Sequence, residues 1–105
     1  MRPGQAEGNT TQAVRDFLRL GTPTFSGEPD PDVVERWLEQ ITRNLDTSGI
    51  VDEHARVSFA AFQLRDDAYH WWHREQVRVG DNFQLFGEVF LEQYFPESAR
   101  EDRHQ

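Results

Sequence analysis

"DPDVVERWLEQITRNLDTSG" occupies residues 30–49, and the class of the fold turns on how it is read. Asp30 and Pro31 together form a helix start. A short acidic side chain accepts from the free N–H groups of a first turn, and proline at the first helical position gives up an N–H that had no partner. Val34, Trp37, Leu38, Ile41 and Leu45 then recur at three- and four-residue steps, the apolar stripe of an α-helix. Glu35, Arg36, Glu39, Gln40 and Arg43 fill the other face, and Gly49 supplies the stop. A helix with one apolar stripe needs other elements to cover it.

Toward the C-terminus the same period continues. Asp52 is placed to cap a helix carrying Val57, Ala60, Ala61 and Leu64. The phase runs on through Ala68, Trp71, Trp72 and Val79, as one long helix or two. Two are favoured, with Asp66 or Asp67 capping the second. Asn82 caps a last helix with Phe83, Phe86, Phe90 and Tyr94, and Pro96 ends it. Toward the N-terminus, residues 21–30 hold Gly21, Pro23, Gly27 and Pro29 and read as an extended lead-in anchored by Phe25. Before it, Val14, Phe17 and Leu18 mark a short helix ended by Gly21. No segment alternates with period two. The expected fold is therefore all-α: a small bundle of four main helices plus a candidate short N-terminal helix. The expected organisation is a disordered tail at 1–9, a helical domain at 10–96 and a charged, frayed tail at 97–105.

At 105 residues with a net charge of −8, the chain holds one small domain, and 12% aromatics serve its core. Arginine provides every basic residue, and the arginines are scattered, which argues against direct nucleic-acid binding by this segment. There is no cysteine, no secretory signal and no membrane-spanning run, so a soluble, intracellular, cytoplasmic protein without membrane contact is expected.

Few residues suggest chemistry. His70 and His73 are one helical turn apart but supply only two ligands, and zinc needs three or four; no metal or other cofactor is expected. The "DTSG" at 46–49 lacks the Asp-Thr-Gly order of an aspartic protease and reads as a helix stop. The "NTT" at 9–11 fits a glycosylation sequon that only a secreted chain would use. The pairs Asp66–Asp67 and Asp52–Glu53 sit at helix starts, where negative charge is favoured by about 0.3–1 kcal/mol. An enzyme is not expected. Trp71 and Trp72 project about 100° apart on a helix. Trp71, three residues after Ala68 and seven after Leu64, is the ring expected to be buried, and Trp72 the one at a seam or groove.

The order of signals carries a resemblance. "PTFSGEPDPDVVERWLEQI" at 23–41, then Leu64, Ala68 and Trp71–Trp72, then "FQLFGEVFLEQYFP" at 83–96, resemble the capsid N-terminal lobe of Gag from gypsy-type long-terminal-repeat retrotransposons and of domesticated Gag proteins such as neuronal Arc. The matching positions are Phe25, Gly27, Asp30, Pro31, Trp37, Leu38, Leu64, Ala68, Trp71, Trp72, Phe86, Phe90, Phe95 and Pro96. Asp66 departs from a glycine common in the family, and Phe83 stands where a tryptophan is frequent. The resemblance implies a structural module that contacts other Gag subunits during assembly of a capsid-like particle, weakly as an isolated lobe, with a second lobe expected after Gln105. Its fold markers here would be Trp37, Leu38, Ile41, Leu64, Ala68, Trp71, Phe86 and Phe90. The alternative is a domesticated module that takes a short peptide in a hydrophobic groove, for which Phe17, Phe25 and Trp72 are the candidate lining.

Overall fold

The computed structural model describes residues 12–95, and the expected tails at 1–9 and 97–105 lie outside them. Among the described residues the fold is all-α, with five helices: α1 (12–19), α2 (Pro31–Thr47), α3 (Glu53–Phe62), α4 (Asp66–Val79) and α5 (Phe83–Tyr94). The helix starts follow from side-chain chemistry. Asp30 accepts from Asp32 N–H, Asp52 from Ala55 N–H and Asn82 from Leu85 N–H, each satisfying a donor left open in a first turn. Glu53 adds to the start of α5, its Oε1 accepting from Phe83 N–H at 2.8 Å.

The junction of α3 and α4 departs from expectation. Neither Asp66 nor Asp67 caps α4. Arg65 takes the cap position without a capping bond from its side chain, which instead donates back to Phe62 O and Leu64 O, and both aspartates lie in the first turn. Asp66 has φ +52°, the only non-glycine residue with positive φ among those described. A left-handed residue turns the chain sharply between the two helices. Glycine does this without strain, and Asp and Asn are the side chains that tolerate it best.

The lead-in segment is fixed into the core. Phe25 N–H donates to Gln63 O at 3.0 Å, and Arg65 N–H donates to Phe25 O at 2.8 Å. These two bonds make an isolated parallel bridge between Phe25 and Leu64, which clasps the segment onto the α3–α4 junction. Pro23 O accepts from Trp37 Nε1–H at 2.8 Å, and Thr22 Oγ1 accepts from Asn44 Nδ2–H at 2.9 Å. Gly27, at φ +104°, runs so close to α4 that an added Cβ would sit 3.2 Å from the Asp67 Cβ. Phe25, Ser26 and Gly27 therefore hold their order because a ring, a strand-like turn and a side-chain-free approach come in sequence.

α5 touches α2, α3 and α4 and forms the spine of the core. Phe25, Trp37, Phe90, Trp71 and Tyr94 meet edge-to-face or tilted, with ring centroids 5.0–5.8 Å apart, an arrangement worth about 0.5–1.5 kcal/mol per pair beyond area burial. Phe83, Phe86 and Phe90 stack along α5. Phe17 stacks on Phe59 at 5.3 Å and brings α1 against α3. Leu38 is half-buried rather than sealed in the core. It lies over Gly87, where α2 and α5 approach closely. Arg56 ties three parts together: its guanidinium pairs with Asp46 at 2.9 Å, donates to Ile50 O and lies 4.7 Å over the Phe83 ring.

Candidate functional site

The outer faces of α3 and α4 enclose an open cleft of about 490 Å³. α3 contributes His54, Val57, Ser58, Ala61 and Phe62, and α4 contributes Tyr69, Trp72, His73, Gln76 and Val77, with Gly80 and Asp81 closing one end. Both sets run at i, i+3, i+4, i+7, i+8, one stripe per helix. Val57 is buried, and Ala61 and Trp72 are half-buried; they form the floor. Phe62, Tyr69 and Val77 are 66%, 47% and 90% exposed and form the rim. Large apolar side chains held this open toward water mark a surface suited to a partner.

Trp72 sits at the boundary between cleft and core. Its ring meets Phe86 at 5.3 Å and Trp71 at 6.2 Å, while Trp71 is only 2% exposed. Consecutive tryptophans thus face core and cleft, as a 100° step requires. At the far end, His54 Nδ1 lies 2.8 Å from Asp81 Oδ1. The hydrogen bond to Asp81 and then its charge raise the His54 pKa above 6.5; desolvation opposes them and the Asp52 charge adds a smaller push in the same direction. His73 meets the Tyr69 ring edge-on at 4.4 Å, and His70 and His73 are both exposed. Among the described residues no group of three or more His, Cys, Asp or Glu side chains converges on a point that would hold a metal. Burial, with the Asp67 charge behind it and Arg74 opposing, raises the Tyr94 phenol. That group lies in the core network, not the cleft.

The structure does not bring Phe17, Phe25 and Trp72 into one groove. Phe17 and Phe25 have no exposed surface, because Phe59 covers the first and the Phe25 clasp seals the second inside the aromatic network. Trp72 alone of the three reaches a surface cleft. The fold markers Trp37, Ile41, Leu64, Ala68, Trp71, Phe86 and Phe90 lie within a single buried cluster, with Leu38 against its edge. Phe62, Tyr69 and Val77 are not among the residues expected from sequence to line a groove. Their signal was present as large apolar residues off the phase of the core stripe, which make a second stripe on the same two helices.

The family described as retrotransposon-derived protein PEG10, N-terminal capsid-like domain, matches residues 19–95. The chain belongs to that family. This capsid-like domain is therefore a retrotransposon-derived Gag module, a structural family, and the matched span covers α2 to α5 with the lead-in segment. Neither the curated proteins nor the solved structures yielded a match to it. The capsid-like domain holds no helix, among the described residues, long and apolar enough to cross a membrane.

Proposed function

We propose that this domain is a subunit of a capsid-like particle and acts through lateral contacts between copies rather than through catalysis. Membership of the capsid-like family over residues 19–95 carries the reading. Its support in the structure is a core that consumes nearly all the large rings, leaving helix faces rather than an enclosed polar pocket as the working surface. Contacts of this kind are individually weak and gain strength from repetition. The excess of 19 acidic over 11 basic residues supports a role without direct nucleic-acid or membrane binding by this segment, and the role proposed is a cytoplasmic one. The peptide-binding alternative would have to use the Trp72 cleft, since Phe17 and Phe25 are enclosed.

The test is assembly. Concentrated protein is brought to high salt to screen its charge. Light scattering and negative-stain electron microscopy then follow the product. Regular particles or sheets are expected, and monomers under every condition of salt and concentration would overturn the proposal.

A further inference from the structure

We propose that the cleft between α3 and α4 seats a second copy of this chain, the same cleft of each copy meeting the other about a two-fold axis. The inference rests on the reading that the domain self-associates, and it names the surface.

Charge first narrows the choice of occupant. Two copies of a chain with net charge −8 repel one another, so they can meet only where carboxylates are sparse. The outer side of α2 is poor for this in another way: Asp32, Arg36, Glu39, Arg43 and Asp46 are all exposed, and burying such a face would strip water from full charges of both signs. The cleft lining holds one carboxylate, Asp81, and His54 already pairs with it. Neither flanking stretch of this sequence supplies the apolar side chains to fill the cleft. Residues 1–11 contain Met1 as their one large apolar side chain, and residues 96–105 contain no large aliphatic or aromatic one. The shape favours a face-to-face pair: Phe62 and Val77 stand out at the rim, while Ala61 and the edge of Trp72 leave a hollow between them. A two-fold contact needs such a patch to be its own complement, each rim entering the other's hollow.

The cleft is small beside the ~800 Å² per partner of a standard stable interface, so the pair should be weak and populated only at high protein concentration. Sedimentation velocity on the intact chain from micromolar to millimolar concentration should show a monomer–dimer equilibrium. Val77→Asp should weaken it at least tenfold, since Val77 is exposed and its change spares the core; circular dichroism verifies the fold. Leu18→Ser, which removes an exposed leucine outside the cleft, should leave it unchanged. Three results would each overturn the inference: monomers throughout, a Val77→Asp dimer as tight as the parent, or amide shifts in the cleft on adding an unrelated amphipathic helical peptide but not on self-titration. Particles that form equally well with Val77→Asp would leave the capsid reading standing and remove this surface from it. Absence of both particles and dimers would remove both.

Discussion

Replacing Asp66 by glycine should leave the fold more stable than replacing it by alanine, the reverse of the order expected in a helix. In an ordinary helical position alanine is favoured over glycine by about 0.8–1 kcal/mol. Asp66 sits at φ +52°, where a Cβ crowds the following carbonyl at a cost of roughly 1–2 kcal/mol. Both variants lose the same carboxylate from the first turn of α4, about 0.3–1 kcal/mol, so that contribution cancels between them. What remains is the left-handed strain, retained by alanine and released by glycine, less glycine's extra freedom in the unfolded chain, about 0.4–1 kcal/mol. Glycine should finish about 1 kcal/mol above alanine. Asp66→Asn should fall between them, since asparagine tolerates the conformation but loses the charge. In a domain of this size about 1 kcal/mol moves Tm by roughly 4–8 °C, well within reach of thermal circular dichroism. If the alanine variant melts above the glycine variant, the left-handed turn does not govern this junction and the reasoning fails.

Two other glycines should respond in opposite senses. Gly27→Ala should destabilise by more than about 1 kcal/mol, because φ +104° and an Asp67 Cβ at 3.2 Å both oppose a side chain. Gly87→Ala should stabilise by about 0.5–1 kcal/mol, since its nearest neighbour, Leu38 Cδ2, would lie at an ordinary 3.7 Å and α5 gains helix propensity; urea denaturation of both variants gives the comparison. Phe25→Ala should cost about 3–5 kcal/mol in the same assay, as expected for emptying a fully enclosed ring site. The His54–Asp81 pair should make stability depend on pH. His54 titrates above 6.5 when folded, so its contribution is complete below 6.5 and is lost as pH rises through the folded value. His54→Gln should flatten that part of the urea-midpoint profile, and an unchanged slope would show that another group sets it.

The fold was legible where local chemistry and periodicity agree. Asp30 with Pro31, Asp52 and Asn82 are caps whose side-chain oxygen does the same task in any helix, and the stripe of α2 needs only a 3.6-residue period. The α3–α4 junction was harder, because an aspartate can cap a helix or adopt a left-handed turn, and only the path of the neighbouring backbone selects between them. Phe17 and Phe25 show a different limit. An aromatic in a short helix or a Pro/Gly-rich lead-in has the same composition whether it lines a groove or plugs one. Two long-range hydrogen bonds to Gln63 and Arg65 decide the matter for Phe25, and no local pattern encodes them. The cleft is only half legible: Trp72 marks a seam or groove from its helical phase, but Phe62, Tyr69 and Val77 lie outside the core stripe and join Trp72 only once α3 and α4 lie side by side.

The stacking of Phe17 on Phe59 bears on where this domain begins. The family match opens at residue 19, two positions past a ring that has no exposed surface. A fragment cut to the matched span would keep α2 to α5 but strip the cover from Phe59, turning a sealed wall of the core into an adhesive patch. Association by such a fragment would then report the cut rather than the biology, and the boundary for any excised version of this domain belongs upstream of Phe17.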